Sequence, residues 1–202
     1  MNRWVSLVGD DLSYEGDGSG HPVWRFTDGD AAGVFFFSIK PDLPRTNEMT
    51  RFISELEERA HAGGALPIEC SVLEVCGLPM VRTIAKVPQQ PHGITYLGSF
   101  TLPFARFSYV VKIQCEERGI TGVREAVLLS EALAAGTVTI DPESENPIAG
   151  LWNPDSADFD ERFPQHPLSR LRRHLQEIPR CLRLDDRLLV QERFRLPDPA
   201  PA

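Results

Sequence analysis

The chain has 202 residues, 21 basic and 29 acidic, with a formal net charge of −8, 42% hydrophobic and 25% charged side chains. That length and balance fit one globular domain, or one domain with an added segment, and exclude a collagen-like, low-complexity or wholly disordered chain. No run of about 18 apolar residues exists to span a membrane, and the acidic balance argues against nucleic-acid binding, which needs clustered Lys and Arg.

The first strand candidate is residues 3–8. Residues 9–20 hold turn-formers, with Gly16, Gly18 and Gly20 able to take positive φ. Val23–Phe26 reads as a strand. Gly33–Lys40, with Phe35, Phe36 and Phe37 in succession, suits a central strand covered on both faces, ended by Pro41 and Pro44. Thr46–Ala62 is the clearest helix. Met49, Phe52, Ile53, Leu56 and Ala60 form one apolar stripe, Thr46 or Asn47 can cap it, and Gly63–Gly64 can close it.

Ile68–Val75, Met80–Val87, Ile94–Leu102 and Phe107–Cys115 read as antiparallel strands. In the last, Phe107, Tyr109, Val111, Ile113 and Cys115 share one face. A second helix from Thr121 to about Ala135 carries Val123, Val127, Leu128 and Leu129, a pattern that predicts heavy burial. Residues 137–165 read as loop. A third helix starts at Pro167, carries Leu168, Leu171, Leu175 and Ile178, and ends before Pro179. Leu182–Leu196 reads as a final strand or hairpin, and 197–202 as a disordered tail. The predicted class is α+β: an antiparallel β-sheet flanked by helices over residues 1–150, with a helical and loop extension over 151–196 packed on the same domain.

Residues 1–150 carry 12 basic and 20 acidic side chains, whereas 151–202 carry nine of each. An acidic body favours a partner with a basic surface through electrostatic steering, although solubility explains the same charge. The first residues lack the apolar stretch of a signal peptide. Cys70, Cys76, Cys115 and Cys181 form no Cys-x-x-Cys pair. Reduced thiols and a cytoplasmic location are therefore expected.

No phosphate-loop, zinc-protease, kinase or nucleophile-elbow motif occurs. Gly16–Gly20 lacks the oxygen spacing of a calcium loop and reads as a turn. His166, His174 and Cys181 are metal-ligand types, but His166 and His174 stand too far apart to chelate from one helix. Cys70 and Cys115 fall on sheet faces as apolar filler. No catalytic residue, metal ligand or cofactor is assigned. The unusual segment is 152–174. Trp152, Phe159 and Phe163 are aromatic anchors, Asp160 and Glu161 are acidic, and Arg170 and Arg173 oppose the leucine stripe, facing water or a partner. Buried aromatics and Arg are typical contact hot spots, so these seven residues form the candidate binding set; the same aromatics would also serve as a staple.

From Gly33 to Ala135 the order is strand, helix after Pro-rich punctuation, antiparallel strands, then the Tyr109–Cys115 strand leading into helix 121–135. This layout resembles the Mog1/PsbP-like superfamily. The resemblance covers about half of the chain and implies a helix-flanked antiparallel sheet in mostly non-catalytic proteins that bind other proteins. It transfers no binding residue.

The expectation is a non-catalytic cytoplasmic protein-binding module of immunity or adaptor type, with no membrane or nucleic-acid partner. The competing readings are a hydrolase with His92, Asp160, Glu161 and His166 assembled from loops, and a small-ligand binder using a pocket between sheet and helix.

Overall fold

The computed structural model describes residues 4–17, 20–141, 148–150 and 152–198. Within them are strands β1 (Val5–Leu7), β2 (Leu12–Gly16), β3 (Val23–Phe26) and β4 (Ala31–Phe37), then helix α1 (Met49–Ala62). Strands β5 (Leu66–Val75), β6 (Leu78–Pro88), β7 (Ile94–Pro103) and β8 (Ser108–Glu116) follow. Next come α2 (Val123–Ala134), β9 (Val138–Ile140), β10 (Ile148–Gly150), α3 (Pro167–Cys181) and β11 (Leu182–Leu184).

The class is α+β. Seven strands form one antiparallel sheet in the order β2-β3-β4-β8-β7-β6-β5. Two meanders, β2–β4 and β5–β8, meet where β4 pairs β8 with Val34 opposite Val111. Because side chains alternate along a strand, this register gathers Val34, Val111, Ile113, Cys115, Tyr96, Phe100 and Ile84 on one buried face. Helix α3 lies on that face through Leu168, Leu171, Leu175 and Ile178. Burying each leucine there contributes about 1.5–3 kcal/mol. Strand β11 then pairs with β1. The segment after 151 is thus part of the main core.

Gly98 lets α3 come this close. A Cβ there would stand 2.8 Å from Leu171 Cδ1 and 2.9 Å from Leu175 Cδ1. Gly98→Val should therefore force helix and sheet apart and cost about 1–3 kcal/mol in urea denaturation. A variant as stable as the parent would show that α3 is not held against β7.

The opposite face is covered only in part. Helix α1 seats Phe52 against Val72 and Val81, with Leu196 alongside. It packs beside β5 and leaves the β4–β8 side open. The expectation that Phe35–Phe37 is covered on both faces fails for this reason: Phe35 is half-buried and Phe37 is 44% exposed.

Other departures have local causes. Residues 12–16, read as turn, form β2 against β3. Helix α1 starts at Met49 without a side-chain cap, because Thr46 Oγ1 accepts from Glu48 N instead. Gly64, not Gly63, takes the left-handed conformation, at φ +78°. In α2 the expected burial holds for Leu128 only: Val123 is 45% exposed, Val127 is exposed too, and Arg124 is buried beside Leu128 instead. Within the predicted loop, β9 pairs β10 as a hairpin. Helix α3 runs through Pro179 to Cys181, since Pro179 falls in the last turn and removes one hydrogen bond near the end. Pro197 is buried rather than part of a loose tail, and residues 199–202 lie outside the described set, as do Gly18 and Ser19 of the glycine turn. No described helix is long and apolar enough to cross a membrane.

Candidate functional site

Two buried charge networks hold the segment 152–174 to the body. Arg124, wholly buried, donates to Pro154 O at 2.8 Å, Asp160 Oδ1 at 3.0 Å, Ser169 Oγ at 3.0 Å and Ser156 O at 2.6 Å. Arg172 shares Asp160 and reaches Glu69 on β5 at 2.6 Å. In the second network Arg170 grips Asp30 with two bonds, at 2.8 and 3.0 Å, while His174 Nε2 lies 3.3 Å from the same carboxylate. Phe26 stacks on the His174 ring at 3.7 Å. Burial pushes the Asp30 carboxyl up, but hydrogen bonds from His174, Arg170 and Cys115 outweigh it and hold it well below the usual carboxylate range.

These networks revise the candidate binding set. Arg170 does not face water: it is buried, because Asp30 on the β3–β4 turn draws it inward. Asp160 is committed to Arg124 and Arg172. Arg173 and Glu161 are exposed. Trp152 and Phe159 line a cavity of about 660 Å³ beside Leu128 of α2. Phe163 lies between guanidinium groups, 5.9 Å from Arg124 and 5.4 Å from Arg162. Of the hydrolase set, Asp160 lies near enough to His166 to act on it electrostatically, but no hydrogen bond or ion pair links the four among the described residues. Among the described residues, the His92 and Glu161 side chains make no hydrogen bond or ion pair, and Asp160 serves arginines.

Two clusters carry metal-ligand types: Asp30, Cys115 and His174; and Glu117, Glu125 and His166. In the first, the Arg170 guanidinium already neutralises Asp30. In the second, Glu117 accepts from Ile94 N and Gly122 N, so it braces the start of α2. His166 Nδ1 accepts from Leu168 N at 3.3 Å, which leaves the neutral ring's proton on Nε2, the atom facing Glu125. That tautomer opposes a cation at Nε2. Three of the four thiols are held protonated: burial pushes Cys70 up to about 11 and raises Cys115 and Cys181 as well.

Burial, aided by Arg124 and Arg170, lowers the His166 pKa from 6.5 to about 4. As pH falls, the unfolded chain therefore takes the proton first. His166's contribution is complete above about pH 6.5 and drains away down to about pH 4, an effect on the order of 3 kcal/mol. His166→Asn, which keeps a capping side chain, should lose less melting temperature than the parent between pH 7 and pH 5. Equal losses would refute the assignment.

A different site collects free charge. Lys40 after β4, Arg45 before α1, Arg106 in the β7–β8 turn, and Arg193 and Arg195 near the C-terminus line one cavity of about 880 Å³. Among the described residues, Glu192 is the one acidic residue lining it. Among the described residues none of the five cations has an ion pair or side-chain hydrogen bond. Local structure explains their placement. Ala105 N donates to Glu192 O at 2.8 Å, and Phe104 forms a bridge with Arg193. This extended segment buries Phe194, so its neighbours Arg193 and Arg195 turn outward. Thr46 and Asn47, ahead of α1, complete the lining, and the first turn of α1 holds no acidic residue. The positive end of the helix dipole adds to the field. A cavity of this size falls in the range of ligand and peptide sites, and its charge is opposite in sign to that of the chain.

Reading the sequence missed this site, because its cations come from three separate segments. The one local signal was Arg193-Phe194-Arg195, where an apolar residue alternates with two cations.

No protein-family model matches the chain, and no curated protein matches it significantly. Among solved structures, a crystal structure from Bacteroides thetaiotaomicron VPI-5482 overlaps 74% of this chain and 46% of its own, at 11% identity and a TM-score of 0.36. The chain thus spans about half the length of that protein, and so low a likeness carries no argument here.

Proposed function

We propose that the chain is a non-catalytic binding module whose recognition site is the cationic cavity and whose partner presents negative charge. The observation that carries this reading is the set of five cations without ion pairs around one cavity, in a chain of net charge −8. Cations left unpaired on an acidic surface repel one another, and an anionic partner relieves that repulsion. The raised thiols of Cys70, Cys115 and Cys181 and the structurally committed Asp160 support a binding role over hydrolysis. The resemblance to the Mog1/PsbP-like superfamily points the same way. The sign of the partner is the reverse of the basic one that overall charge suggests.

The test is calorimetric titration of the purified protein with a short oligoglutamate at two salt concentrations. Arg193→Glu combined with Arg195→Glu should lower affinity at least tenfold, and added salt should weaken parent binding. Because both side chains are exposed, the variant should fold normally. Unchanged affinity in a folded variant would sink the proposal.

A further inference from the structure

The cationic cavity does not stand alone. The open part of the sheet, away from α3, forms a groove of about 390 Å³ lined by Phe35, Phe37, Ala85, Leu97 and Val110, with Thr83, Ser99 and Lys112 as its polar residues. Phe37 belongs to this groove and the next residue, Ser38, to the cationic cavity. Consecutive residues thus line the two concavities at the end of β4. Ile39, 67% exposed, lines the cationic cavity just beyond. The groove is mainly apolar, with Lys112 its one cation among the described residues, and the five clustered cations lie beyond the end of β4.

We infer that the occupant is an extended segment of a partner protein, with apolar side chains followed by a run of Asp or Glu. The inference rests on the anion-binding reading and deepens it. The apolar residues lie over Phe35, Phe37, Leu97 and Val110, and the carboxylates meet the five cations. Charge complementarity sets the acidic end, where five cations gather against the single Lys112 of the groove, and the step from Phe37 to Ser38 sets the order. A small phosphate ligand would use the cations and leave the groove bare. A flat duplex would need a continuous basic surface, whereas this patch ends in hydrophobic sheet.

The probe is a fluorescent peptide of roughly four apolar residues followed by roughly four glutamates, long enough to lie across both concavities at about 3.3 Å per residue. Its controls are an isomer of the same composition with the two residue types alternating, an oligoglutamate, tripolyphosphate and phosphatidylserine vesicles. Fluorescence anisotropy should show the block peptide binding about tenfold more tightly than the isomer or the oligoglutamate, as burial of one or two apolar side chains implies. Val110→Asn, which changes no charge, should remove that advantage while leaving oligoglutamate binding unchanged. The isomer comparison needs no variant and stands even if Val110→Asn fails to fold. Equal affinity for the two isomers overturns the inference while the anion-binding reading survives. So does preferential binding of tripolyphosphate or of vesicles. Failure of every anion to bind overturns both.

Discussion

Arg124→Leu should cost the fold about 3–5 kcal/mol and lower its melting temperature by roughly 6–20 °C. The guanidinium is wholly buried and makes four hydrogen bonds, two of them to the carbonyls of Pro154 and Ser156. Leucine fills the space but strands both carbonyls and half of the partnership at Asp160. Each stranded buried acceptor costs about 1–3 kcal/mol. Arg124→Lys should recover little, since one ammonium cannot reach four acceptors spread around a planar fork. Equilibrium urea denaturation measures both. A loss below about 1 kcal/mol for Arg124→Leu would mean that the segment 152–160 is held by its aromatics alone.

Arg170→Leu should be comparably severe, at about 3–5 kcal/mol, because it removes the two-bond partner of a buried Asp30 and leaves only Arg118, His174 and Cys115 to compensate it. The wild-type carboxyl is held low, so the stability it contributes is present above about pH 3.8 and is lost as pH falls further. In the variant the carboxyl rises toward neutral pH. The stability gap between parent and variant should therefore narrow on acidification, and Asp30→Leu added to Arg170→Leu should restore part of the loss. Additive losses in the double variant would show that the two groups do not act as a pair.

Much of the fold was legible because its signals are periodic. The alternation from Tyr109 to Cys115 and the stripe from Met49 to Ala60 depend on neighbours a few residues apart, and both became the elements they predict. The failures share another physics. Arg170 looks like a surface residue on a helical wheel and Arg124 is a charge within an apolar run, yet each is buried because a carboxylate far along the chain compensates it. Periodicity cannot see a partner 140 residues away, the separation of Asp30 and Arg170. The half-open sheet escaped for a related reason. Three successive phenylalanines say that a strand is apolar, not that α1 stops short of covering it. The cationic cavity was the least legible feature, since its charges gather only after the sheet and the C-terminal segment have folded together.

The most direct test of the anion-binding claim is to titrate ¹⁵N-labelled protein with oligoglutamate and map the amide shifts. The account predicts perturbations concentrated at residues 38–47, 105–106 and 192–195, weakening as salt is raised. Shifts centred instead on Trp152, Phe159 and Phe163, or no shifts at low salt, would contradict it.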